Sequence, residues 1–226
     1  MQKIAVLLAG SGVYDGSEIH EAVFALLSIE KAGASYQCFA PNKPQFHVID
    51  HTTGDVVPET RNVLVESARI ARGNVKPLTE LSVDAYDALL IPGGFGAAKN
   101  LNQWAIQGPA GAIDADVKRV IVAFQAAHKP LCGLCMGPTV IAQALGDAPG
   151  VELTVGTTEE PSPYDIASIH AGMRSLGARP VMKSVREVAV DTKHKVVTAP
   201  CYMMEASILD VRKNVQQAVD ALMALL

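Results

Sequence analysis

The sequence predicts a doubly wound α/β fold: a mostly parallel sheet with helices on both faces, plus a small β-hairpin insertion. Three observations predict it. Short, continuously apolar runs (Lys3–Ala9, Ala88–Ile91, Leu131–Leu134) read as strands covered on both faces. Segments of helical periodicity separate them, and strands alternating with helices imply parallel strands joined by crossovers. The glycine loops at Gly10 and Gly93, and Cys135, each follow a strand, so they share the rim where such sheets bind ligands.

Lys3–Ala9 opens the sheet, and Gly10–Gly16 is a loop. Ser17 is placed to cap a helix reaching Lys31, with Ile19, Val23, Leu26, Leu27 and Ile29 near helical spacing. Gly33 ends it. Tyr36–Phe39 is the second strand, stopped at Ala40-Pro41. Residues 46–57 alternate, turn and alternate again, the pattern of the hairpin. Thr60–Ala71 is a helix followed by Gly73. Ala88–Ile91 is a core strand that runs into Pro92-Gly93-Gly94-Phe95-Gly96. Asp114–Ala127 is a helix, Leu131–Leu134 a strand and Gly137–Leu145 a helix. Val151–Val155 is a strand and Tyr164–Leu176 a helix. Ala178–Met182, Glu187–Val190 and Val196–Ala199 are short strands, and Ala206–Leu226 is a closing amphipathic helix.

The 226 residues suffice for one substantial core and are read as one domain spanning 1–226. Hydrophobic residues make up 49% and charged residues 19%, a globular balance. The net charge is -4 and no Lys/Arg-rich run occurs, which excludes nucleic acid and anionic membrane surfaces as expected partners. No apolar run approaches ~18–20 residues, so no membrane span is expected. The short apolar start passes into a glycine loop without a cleavage-like context, and is read as a strand rather than a leader. Cys38, Cys132, Cys135 and Cys201 are too few for a disulfide scaffold, which sets a cytoplasmic expectation.

The most informative stretch is Lys129-Pro130-Leu131-Cys132-Gly133-Leu134-Cys135-Met136-Gly137-Pro138. Gly133-Leu134-Cys135-Met136-Gly137 has the G-x-nucleophile-x-G spacing of a strand-to-helix elbow, with Cys135 as the nucleophile. Glycines two before and two after relieve crowding at the bend, and Pro138 suits a first helical turn. A thiol before a helix N-terminus is expected to lean toward thiolate.

Other groups gather on the same rim. Glu18 and Glu21, three apart on one helix, are the candidate acids, and spacing alone does not choose between them. Gly93 and Gly94 offer backbone N–H groups for an oxyanion hole. Asn100 and Met136 are candidates for substrate contact. Cys132 and Cys135 form a C-x-x-C, but Cys132 lies within the strand, placing the Cα atoms ~10 Å apart, beyond disulfide reach. The six histidines (His20, His47, His51, His128, His170, His194) make no metal-ligand spacing with cysteines or acids, so no metal is expected. Gly10-Ser11-Gly12 is followed by Gly16, so the dinucleotide fingerprint fails.

These residues carry a resemblance. SGVYDGSEIHE at Ser11–Glu21, TRNVL at Thr60–Leu64, PGGFGAAKN at Pro92–Asn100, the cysteine elbow and VTAP at Val197–Pro200 resemble the ThiJ/PfpI superfamily, with its class I glutamine amidotransferase-like, flavodoxin-like fold. The chain looks closest to the enhancing-lycopene-biosynthesis (ElbB-like) branch and its mitochondrial relatives. The resemblance implies a nucleophile at Cys135 and an acid bonded to it at Glu21, with Glu18 in reserve. It also implies homodimers, an easily oxidised elbow cysteine and, in some members, glyoxalase-III-type conversion of methylglyoxal, a small carbonyl substrate, without metal, glutathione or other cofactor. Its isoprenoid association is a family label. Met136 stands where peptidase members have histidine, and no later His-x-Glu completes a glutaminase. Many relatives have cysteine where Ser11 stands.

Two expectations follow. One is a cysteine-dependent, cofactor-free enzyme turning 2-oxoaldehydes into 2-hydroxy acids. The other is a non-enzymatic redox sensor or regulatory protein using the same thiol. A glutaminase-like amidotransferase subunit is the weaker third.

Overall fold

A computed structural model of the chain describes residues 1–146 and 150–226. In chain order the elements are β1 (Lys3–Leu7), α1 (Ile19–Lys31), β2 (Ser35–Ala40), α2 (Val63–Ile70), β3 (Val75–Pro77), β4 (Ala88–Ile91), α3 (Trp104–Gln107) and α4 (Ala115–Ala126). There follow β5 (Leu131–Leu134), α5 (Gly137–Leu145), β6 (Glu152–Leu153), α6 (Ile166–Ser175), β7 (Arg179–Pro180), β8 (Ala189–Asp191), β9 (Val196–Ala199) and α7 (Ile208–Ala224).

Among the described residues, seven strands form one sheet in the order β3-β2-β1-β4-β5-β9-β8. Every pairing is parallel except β8 with β9. Strands β4, β5 and β9 are buried at every residue, because helices cover both faces and apolar side chains leave water on each side. Helix α1 packs against α7, and α4 against α5. Chain order reverses beside β1, with β2 on one side and β4 on the other. Sheets of this kind open their ligand crevice at such a point, outside the carboxyl ends of the strands.

Several boundaries move, each for a local reason. Ser17 does not cap α1: its hydroxyl accepts the Ala9 N–H at 2.8 Å and fastens the end of β1. Glu18 caps instead, accepting the Glu21 N–H at 2.7 Å. The helix expected from Thr60 begins after Asn62, whose side chain accepts from Leu64 and Val65. The hairpin shrinks to one antiparallel bridge, Ile49 with Val56. That segment is drawn onto the Gly10–Gly16 loop instead, where Asp15 accepts the Ile49 N–H at 2.8 Å and His51 packs on Tyr14. The strands expected at 151–155 and 178–182 reduce to the two-residue pair β6 and β7, separate from the main sheet. Strand β3, helix α3 and the π-helical turn Ala97–Leu101 carry no clear period and were not expected.

Candidate active site

The elbow is built as its glycines require. Cys135 has φ +54°, in the left-handed region that a residue with a side chain enters at a cost. Its N–H donates to Ala199 O at 2.9 Å, which ties the bend to the end of β9. Gly137 opens α5 against β4: a Cβ there would stand 2.6 Å from Ile91 O, so only glycine permits the approach.

The acid arrives from α1. Glu21 is fully buried, and its carboxyl shares a hydrogen bond with the Cys135 thiol. The same carboxyl accepts the Gly93 N–H at 3.0 Å and the Tyr202 N–H at 3.3 Å. Residues after three strands, β4, β5 and β9, therefore hold one side chain from α1. Gly93 is wedged between the two reactive groups: a Cβ on it would meet Cys135 Cβ at 2.4 Å and Glu21 Oε2 at 2.7 Å. Glu18 is occupied as the cap, and its second oxygen lies 3.9 Å from His20 Nδ1 at the mouth of the site. The geometry thus separates the two acids: Glu21 bonds the thiol, and Glu18 lines the cavity.

Burial, with Glu18 nearby, pushes the Glu21 carboxyl up to about 8. At neutral pH it holds its proton. Burial, and then the Glu21 carboxyl beside it, push the Cys135 thiol well above the ordinary cysteine value, against the pull of the Gly94 N–H donated to the sulfur. The expected drift toward thiolate is thereby corrected: desolvation outweighs the neighbouring helix end. Thiol and carboxyl form one proton-sharing pair.

Above the sulfur lies a cavity of about 180 Å³. Its walls include Glu18, Gly94, Met136, Phe95, Trp104 and Tyr164. Met136 lies on the wall. Asn100 does not: its side chain donates to Ala9 O and Asp15 O at 2.9 Å each and accepts the Phe46 N–H, so it is a brace between loops rather than a substrate contact. Gly93 likewise has its N–H committed to Glu21, which leaves Gly94 as the amide beside the sulfur. Sequence reasoning missed Phe95, Trp104, Tyr164, Ile169, Tyr202 and Met203, which reach the cavity from separate loops and helices. It also missed the His20–Tyr202 hydroxyl contact of 2.9 Å. Tyr202, directly after Cys201 in VTAPCY, carried the signal most open to reading. Cys132 is buried in β5, and among the described residues no disulfide and no cluster of metal-binding side chains forms.

The glutamine amidotransferase-like class 1 domain-containing protein 3, mitochondrial, of Homo sapiens is 46% identical over 208 residues, spanning 91% of this chain and 76% of that protein. The chain belongs to the amidotransferase-like class 1 family. No family model matches it. A crystal structure of the Ehrlichia chaffeensis isoprenoid biosynthesis protein with amidotransferase-like domain is similar to this amidotransferase-like chain at TM-score 0.90 and 32% identity, covering 100% of this chain and 99% of that one. The ThiJ/PfpI domain protein of Brachyspira murdochii, at TM-score 0.58 and 13% identity over 99% and 96% of the two chains, shares the fold. The chain thus shares the fold of ThiJ/PfpI proteins, a mostly parallel sheet of flavodoxin-like architecture.

The relatives also correct the expected cytoplasmic location. The human protein is named mitochondrial, as are the ES1 proteins of Rattus norvegicus and Danio rerio. Four unpaired thiols argue against a disulfide framework and do not separate one reducing compartment from another.

Proposed function

We propose that this amidotransferase-like protein is a cysteine-dependent, cofactor-free enzyme of glyoxalase-III type, converting 2-oxoaldehydes into 2-hydroxy acids. One observation carries the reading: a strained elbow cysteine is hydrogen-bonded to a buried, proton-holding glutamate beneath a cavity. The pair reacts in the form that has lost one proton: the Cys135 sulfur adds to the aldehyde carbon, the carbonyl electron pair moves to oxygen, and the one proton the pair still holds passes to that oxygen, leaving Glu21 a carboxylate. Gly94 N–H faces that oxygen as charge develops. Glu21, now a carboxylate, takes the proton from the aldehyde-derived carbon and returns it to the adjacent carbon, while the adduct's hydroxyl proton passes to the neighbouring carbonyl oxygen, leaving a thioester of a 2-hydroxy acid. Water cleaves the thioester, restoring the thiol. The sum is aldehyde plus water, with no outside oxidant.

The test is D-lactate formation from methylglyoxal. Wild type is expected to produce it and Cys135→Ala to lose it; equal conversion by both overturns the reading. The expected homodimer belongs to the same proposal, supported by the exposed stripe of Ile19, Val23 and Leu27 along α1.

A second reading, oxidation of Cys135 by peroxide to a sulfinic acid, has the Gly94 N–H in its favour, since that donor suits an oxidised sulfur. Mild peroxide followed by peptide mass spectrometry tests it. Uniform oxidation of Cys135, Cys38, Cys132 and Cys201 counts against it.

A further inference from the structure

The cavity over Cys135 is oversized and oily for the smallest 2-oxoaldehydes. Phe95, Trp104, Met136, Tyr164, Ile169 and Met203 supply its apolar wall. These groups are held in place before any ligand arrives. Phe95 and Tyr164 meet edge to face with ring centroids 6.1 Å apart. Trp104 is nearly buried and seated against Gly172 of α6, where a Cβ would come within 2.9 Å of the indole. No lysine, arginine or histidine lines the cavity among the described residues, and its ionisable groups are Glu18, the thiol and tyrosines. Lys99, which stacks on Phe95 at 5.2 Å, donates its ammonium to Tyr14 O and is not part of the lining.

Such a site repels a carboxylate or phosphate on the substrate, because desolvating an anion there brings no cation to meet it. It rewards apolar area. The methyl of methylglyoxal leaves most of the wall uncovered, whereas a ring or branched chain reaches it.

We propose that the substrate of this site is an uncharged 2-oxoaldehyde bearing an aryl or branched alkyl group, which lies against Phe95, Trp104 and Tyr164 while its aldehyde meets Cys135. This rests on the reading of Cys135 as a carbonyl-adding nucleophile. The step is the one already written: the S–C bond forms, the C=O electron pair goes to oxygen and a proton follows, whatever the substituent.

The experiment compares phenylglyoxal, methylglyoxal and glyoxylate in two ways. Protection of Cys135 from iodoacetamide is read by peptide mass spectrometry, each aldehyde normalised to its addition to N-acetylcysteine. Hydroxy-acid formation is followed in parallel. Phenylglyoxal is expected to protect at a concentration about tenfold below that of methylglyoxal, with glyoxylate weakest. Phe95→Ala is expected to shrink the phenyl-to-methyl ratio about threefold. Equal or reversed protection, or no protection by any of the three, overturns the substrate class even if methylglyoxal is turned over. Protection in the expected order with no hydroxy acid formed upholds the cavity preference and overturns the glyoxalase reading instead.

Discussion

Two cysteines in this protein stand at nearly the same kind of bend. Cys135 follows β5 with φ +54°, and Cys201 follows β9 with φ +48°. Both are buried, and burial pushes both thiols well above the ordinary value. The difference lies in what meets the side chain. Cys135 has a hydrogen-bonded carboxyl, an amide aimed at its sulfur and a cavity above it. Cys201 does not line that cavity; its N–H is capped by Asn214 Oδ1 at 3.0 Å, and Asn214 in turn donates to Glu187 O. A left-handed cysteine after a strand is thus a turn until an acid and an opening are added.

The largest expected effect separates the two directly. Cys135→Ala is expected to lower methylglyoxal turnover at least ~10³-fold, while Cys201→Ala stays within about threefold and loses ~1–2 kcal/mol of stability. Parallel turnover and urea-melt measurements decide it. Loss of activity in both variants breaks the contrast.

Glu21→Gln sharpens it, with an expected drop in turnover of at least ~10²-fold. It also carries a pH signature. The Glu21 carboxyl sits at about 8 in the folded chain against an ordinary 4.5. Below the ordinary value both states hold the proton; between the two values only the folded state does. Stability therefore falls as pH rises from about 4.5 to about 8, by roughly 3–5 kcal/mol in wild type, a loss that Glu21→Gln removes. Urea titrations at both ends of that window measure it, and an unchanged slope in the variant refutes the assignment.

Gly93→Ala forces a Cβ between Cys135 and Glu21, and a displacement of about 1 Å is expected to cost ~10²-fold in turnover. Asn214→Ala strikes the other bend: a loss of ~1–3 kcal/mol with turnover nearly intact, read by the same pair of assays. The smallest effect is expected from Tyr202→Phe, which removes the His20 contact but keeps the ring and the amide that holds Glu21, so turnover changes about threefold or less.

How much of this was legible beforehand follows from range. The elbow is written in five neighbouring residues, so its bend could be read directly. The three glycine-bearing rim loops follow from strand–helix alternation, which places them at one sheet edge. The choice between Glu18 and Glu21 could not be read from spacing, and only the resemblance pointed to Glu21, because the geometry depends on Ser17 turning back to Ala9 and passing the cap to Glu18. The aromatic wall was hidden for a different reason: Phe95, Trp104, Tyr164 and Tyr202 are distant in the chain and share no period. The thiol's pKa direction also depended on tertiary burial. Asn100 looked like a ligand because a short polar side chain in a loop serves bracing and binding equally well.

Site-resolved alkylation tests the contrast between the bends most directly. Native protein is treated briefly with iodoacetamide at pH 8, and the occupancy of Cys38, Cys132, Cys135 and Cys201 is read by peptide mass spectrometry. Cys135 is expected to be labelled first, with the other three protected until the chain unfolds. Labelling of Cys201 ahead of Cys135, or equal labelling of all four, contradicts a reactive thiol under an open cavity.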